Sequence, residues 1–96
     1  MYENKFCIVR CDRAGVFFAR VESMEGSTAK LRDARRLWYW DGAASLSQLA
    51  MEGVKAPRNC KFTMPVSTMT VLGVIEVIPC DEPAVASING VPEWKM

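Results

Sequence analysis

The sequence predicts an α+β fold: a mostly antiparallel sheet of about five strands with one or two short helices. Three observations predict it. The first third of the chain alternates β-prone runs with turn residues. One central segment, Ser45 to Glu52, carries the spacing and the caps of a short helix. A second β-branched run ends at Pro79, and an acid-and-proline helix start follows it. With 96 residues the chain reads as a single domain, 1–96.

The elements follow in order. Lys5 to Arg10 is a short strand, and Asp12-Arg13-Ala14-Gly15 a turn. Val16 to Glu22 is the second strand, with Phe17, Ala19 and Val21 sharing one face. Glu25-Gly26-Ser27 turns tightly into an alternating third strand over Thr28 to Asp33, so the first third reads as a meander. Ser45 and Gln48 form a capping box, Leu46, Leu49 and Ala50 have helical spacing, and Gly53 stops the helix. Val54 to Asn59 is a loop and Lys61 to Val66 a strand, with Pro65 marking an edge or bulge. Met69 to Ile78 reads as one strand. Asp81-Glu82-Pro83 opens a brief helix that Asn89-Gly90 closes, and Val91 to Met96 is a tail that docks through Trp94.

Composition excludes several functions. Half the residues are apolar and 24% charged, unlike a disordered tail. The net charge of +1 gives no general field for extended nucleic acid. No run approaches the ~20 apolar residues of a membrane span, so no membrane partner is expected. Met1-Tyr2-Glu3-Asn4-Lys5 lacks the charged and apolar regions of a secretory signal, which places the chain in the cytosol. The chain has no histidine, which removes histidine-based triads and metal sites. Cys7, Cys11, Cys60 and Cys80 form no C-x-x-C pair and read as small buried hydrophobes. No catalytic residue, metal ligand or cofactor is assigned. The high apolar content for so short a chain points to a homo-oligomer.

One segment carries the functional reading. Taken as extended, Thr28 to Trp40 places Thr28, Lys30, Arg32, Ala34, Arg36, Trp38 and Trp40 on one face. Lys30 to Arg36 holds four positive charges and one negative. Guanidinium groups fork onto phosphates, and indoles stack on bases. Ser45 adds a helix start behind them, where free N–H groups favour anions. The candidate ligand contacts are therefore Arg35, Arg36, Trp38, Trp40 and Ser45, with Lys61 a further cation, and the ligand is a small nucleotide. The competing reading makes Trp38, Tyr39 and Trp40 core or interface anchors and leaves the arginines solvated or paired.

The block from Ala34 to Ala50 (ARRLWYWDGAASLSQLA), with Glu52-Gly53 after it and Val74 to Cys80 (VIEVIPC) further on, resembles a family of short phage and prophage proteins over most of its length. The resemblance implies an accessory protein acting in the cytoplasm of an infected bacterial host. Small phage accessory proteins of about this size often inhibit host defences, and several unrelated kinds do so by oligomerising and sequestering a nucleotide immune signal. That signal is a cyclic dinucleotide or a cyclic ADP-ribose derivative. Sequestration needs no catalytic residue. The same aromatic and arginine residues also suit a protein-interaction inhibitor that docks on a host defence protein. A nucleotide hydrolase would draw on Asp33, Asp41, Glu52 and Glu76, but no motif spacing supports it. A structural virion role is a further reading.

Overall fold

The structure, a computed structural model, describes residues 2–96. It is an α+β fold with a six-stranded antiparallel sheet and two helices. Strands β1 (Phe6–Cys11), β2 (Val16–Glu25) and β3 (Thr28–Tyr39) form the expected meander, and the third strand runs six residues past its expected end. Helix α1 (Leu46–Glu52) is followed by a 3₁₀ turn at Pro57–Asn59, and α2 is Glu82–Asn89. Two expected strands divide. The Lys61 to Val66 run is β4 (Lys61–Phe62) and the first residue of β5 (Val66–Val71), separated around Pro65. Met69 to Ile78 is two strands, because Gly73 takes a φ of +73° and breaks the run before β6 (Val74–Pro79).

The order is β4-β3-β2-β1-β6, and β5 also pairs with β3. β4 and β5 share one edge of β3, against Leu37–Tyr39 and Ala29–Ala34 respectively. β6 lies on the opposite side of the sheet, against β1. Yet only Leu72 and Gly73 separate β5 from β6. Four strand spacings at ~4.8 Å would put them ~19 Å apart in a flat sheet. Three Cα steps reach no further than ~11 Å. The sheet must therefore curl until the two edges meet at the Leu72-Gly73 link, while the rest of the outer β5 edge stays unpaired. Two backbone bonds hold the closure: Val74 N–H donates to the Ser27 carbonyl at 2.9 Å, and Asp12 N–H to the Gly73 carbonyl at 2.8 Å.

The curl gives the sheet two cores. Inside it lie Cys7, Val9, Phe17, Ala19, Leu31 and Val71. On the outer face Ile8, Phe18, Leu37 and Phe62 are covered by Leu49 and Ala50 of α1 and by Ala84 and Ile88 of α2. Consecutive pairs such as Cys7–Ile8 and Phe17–Phe18 feed the two cores alternately, as the strand period requires. Each fully buried Phe contributes ~1.5–3 kcal/mol. The helices lock through Ser87, whose hydroxyl accepts from Val54 N–H at 3.0 Å and donates to the Val54 carbonyl at 3.2 Å. Gly53, at a φ of +79°, is the point of closest approach, since a Cβ there would fall on the Ser87 side chain. All four cysteines are free and buried. Burial, reinforced by nearby Cys7, pushes the Cys80 thiol up to about 12, and burial raises Cys7 and Cys11 too. These thiols are packing groups rather than nucleophiles.

Candidate functional site

The alternation that put the cations and indoles on one face breaks at Asp33. Phe18 pairs with Arg35 and Arg20 with Arg32, so Asp33 and Ala34 together oppose the single Ala19. This is a β-bulge, and Asp33 adopts a φ of +52° to make it. Before the bulge, Ala29 and Leu31 face inward; after it, Ala34 does. A second irregularity lies between Leu37 and Tyr39, where Trp38 has no partner on β4. The candidate residues are thereby dispersed.

Arg35 is turned away from solvent and is only 4% exposed. Its Nε donates to the Thr63 carbonyl at 2.8 Å and its Nη1 to Ile88 at 2.8 Å. Its Nη2 donates to the carbonyls of Val91 at 3.0 Å, Phe62 at 3.3 Å and Pro92 at 3.4 Å. Burial depresses its pKa from the ordinary arginine value. Arg35 therefore joins β3 to the end of α2 and the tail, with all three guanidinium nitrogens engaged by backbone carbonyls. Ser45 caps α1, its Oγ accepting from Gln48 N–H at 3.1 Å, while Gln48 Oε1 accepts from Ala44 N–H at 2.8 Å. A capped helix of seven residues has little dipole to offer an anion. Trp40 is half-buried and packs on the outer core beside Ala43 and Leu46. These three residues serve the fold.

Arg36, Trp38 and Lys61 remain on the surface. Trp38, 60% exposed, stacks on Trp94 of the tail with ring centroids 5.2 Å apart. Lys61 Nζ stands 5.0 Å from the Trp38 centroid and 5.5 Å from that of Trp94. The tail reaches this position because Glu93 bridges to Phe62 and Trp94 N–H donates to the Phe62 carbonyl at 2.8 Å. Arg36 lies over the Phe17 ring at 4.9 Å and its backbone N–H donates to Thr63 Oγ1 at 2.9 Å. It also lines an open cleft of about 500 Å³ between the β1–β2 turn and the β5–β6 link. Arg13 on the turn and Met69 and Leu72 opposite complete the walls. Among the described residues neither Arg13 nor Arg36 has an acidic partner within ion-pair distance. Lys30 and Arg32, by contrast, both pair with Glu22.

The site is thus two adjoining parts on the second half of β3: a cleft with two unpaired guanidinium groups, and an aromatic pair capped by an ammonium. Arg36 and Trp38 are two residues apart, ~7 Å along a strand. Trp94 was legible in the sequence only as a docking residue, and Arg13 carried no signal, because the cleft exists only once the sheet curls. The four carboxylates considered for hydrolysis are scattered. Asp33 pairs with Arg20 at 3.6 Å and Glu76 with Arg10 at 3.7 Å. Asp41 accepts from Asn59 at 3.1 Å and Glu52 from Gln48 at 3.3 Å. Among the described residues no three potential metal-ligating side chains gather, and no helix is long and apolar enough to cross a membrane.

A family model described as a domain of unknown function, DUF6948, matches residues 4–88. No curated protein and no solved structure matches the chain. The matched span contains the whole sheet, both bulges of β3 and nearly all of α2, and it stops before Trp94.

Proposed function

We propose that this chain, which belongs to the DUF6948 family, is a non-enzymatic binding protein of phage type that sequesters a host nucleotide immune signal in the bacterial cytoplasm. Arg36, with Arg13 across the cleft, holds the phosphates. Trp38 and Trp94 supply the stacking surface for a base, and Lys61 adds positive charge beside it. The observation that carries the reading is the adjacency on β3 of Arg36, which faces the cleft with Arg13, and Trp38, which stacks on Trp94 of the tail. A phosphate next to a flat heterocycle is the chemistry such a surface complements.

A thermal-shift panel of cyclic dinucleotides, cyclic oligonucleotides and cyclic ADP-ribose isomers tests it. A ligand of the native state raises Tm by mass action and is recovered intact. Base stacking contributes ~1–3 kcal/mol, so Trp38→Ala should weaken that ligand roughly 5- to 150-fold while leaving the fold in place. Arg36→Ala should weaken it as well. A Tm that no member of the panel moves, or a Trp38→Ala protein that binds like wild type, overturns the reading.

The exposure of Tyr39, Met64 and Met96 together with Trp38 and Trp94 favours one second reading: docking on a host defence protein. Aromatic and methionine side chains on a surface anchor protein interfaces. That reading expects a silent nucleotide panel and a bound protein that is lost in Trp38→Ala.

A further inference from the structure

We propose that β5 is the interface of a two-fold symmetric dimer, pairing antiparallel with β5 of a second copy of this chain. β5 is hydrogen-bonded on one side only, to β3. Its other edge presents free N–H and C=O groups, a template for a further strand. Proteins guard such edges with charge, proline or cover. The β6 edge is guarded by Glu76 and Pro79. The β5 segment, Val-Ser-Thr-Met-Thr-Val, has neither charge nor proline, and three of its six residues are Val or Met. All but Val71 are at least partly exposed.

The occupant follows from the sequence of the strand itself. Residues facing each other across an antiparallel pair must lie on the same face. Every self-pairing centred on a residue meets that condition, and centring on Met69 is the one that sets the exposed Val66 against the exposed Leu72. Met69 faces its own copy, Ser67 faces Val71, Thr68 faces Thr70, and Val66 faces Leu72. Val66 and Leu72 are the exposed large apolar residues of this segment, at 43% and 68%, and they cover one another at both ends of the ladder. The threonine pairs add cross-strand hydrogen bonding. A two-fold axis makes each contact twice and closes the assembly at two chains. Leu72 and Met69 also line the Arg36 cleft, so the second copy borders that open site.

Sedimentation equilibrium of the full chain, with circular dichroism to check folding, tests the proposal. Wild type should sediment as two chains rather than at 10.7 kDa. T68K/T70K opposes like charges at both threonine pairs and should sediment as one chain with an unchanged spectrum. T68K/T70E alters the same exposed positions but opposes unlike charges, and should restore the dimer. A wild-type monomer overturns the proposal. So does a T68K/T70K dimer, or a T68K/T70E protein that stays monomeric. The proposal rests on the strand alone: a monomer that still binds a nucleotide removes this interface and leaves the ligand reading intact.

Discussion

The two halves of β3 have similar composition and opposite uses. Before Asp33, Lys30 and Arg32 point outward and share the single Glu22 carboxylate as their ion-pair partner. After it, Arg35 is buried against five backbone carbonyls, while Arg36 beside it stays exposed and without an acidic partner among the described residues. Neighbouring arginines thus become a structural clamp and a free cation. The difference lies in the direction of each side chain, and the bulge sets that direction. Charge counting along the segment cannot separate the two.

The strongest way to break this comparison is to exchange the two arginines' fates. Arg35→Ala removes the donors for the Ile88 and Val91 carbonyls and leaves a hole beside Phe62. Hydrogen bonds to a charged group contribute ~1.5–3 kcal/mol each, and they do not add fully when shared by one side chain. A loss of about 3 kcal/mol is expected, or roughly 15 °C in Tm for a domain of this size. Arg36→Ala, at an exposed position, should stay within ~0.5 kcal/mol. Thermal unfolding of the two variants side by side checks this. Equal melting temperatures would mean that the clamp contributes nothing special.

What the sequence made legible, and what it hid, follows the same line. The α1 caps are local: Ser45, Gln48 and Gly53 sit at fixed spacing, and the helix formed between them. The two hairpins are also local, set by Gly15 and Gly26 between β-prone runs. The site was only half legible. Arg36, Trp38 and Lys61 are on the surface, Trp38 despite the size that made it a candidate core anchor. Arg35, Trp40 and Ser45 lie apart from the Arg36 cleft, since an alternating pattern carries no mark of where a bulge resets it. Aspartate tolerates positive φ better than most residues, but Asp33 offers that preference among many equally polar neighbours. Gly73 was a stronger sign, and reading Met69 to Ile78 through it hid both the β5–β6 link and the closure of the sheet. Arg13 entered the site only through that closure.

Asp33 is the next point of attack, with an intermediate effect. A β-branched side chain at positive φ is strained, so Asp33→Val should cost about 1–2 kcal/mol. Asp33→Gly removes the strain and also the exposed pair with Arg20, a contribution of about 0–1 kcal/mol, so the two changes nearly cancel. Chemical denaturation of both variants separates them. If valine unfolds at the same denaturant concentration as glycine, the positive φ is not what holds the register.

The smallest effect probes the first half of the strand. Hydrogen bonds from Arg32 and then Lys30 hold the Glu22 carboxyl below its ordinary range. A carboxylate whose pKa is lower in the folded state stabilises the fold above its unfolded pKa. That contribution fades as pH falls through the folded value. Glu22→Gln should therefore melt slightly below wild type at neutral pH and converge with it in acid. Salt should shrink the gap, because the three groups are solvent-exposed and screened. A gap that persists in acid would have to come from packing. The same variant sharpens the comparison between the halves. With Glu22 neutralised, Lys30 and Arg32 lose the partner that distinguishes them from Arg36. If added phosphate then raises the Tm of Glu22→Gln more than that of wild type, pairing alone kept the first half of β3 from being an anion site.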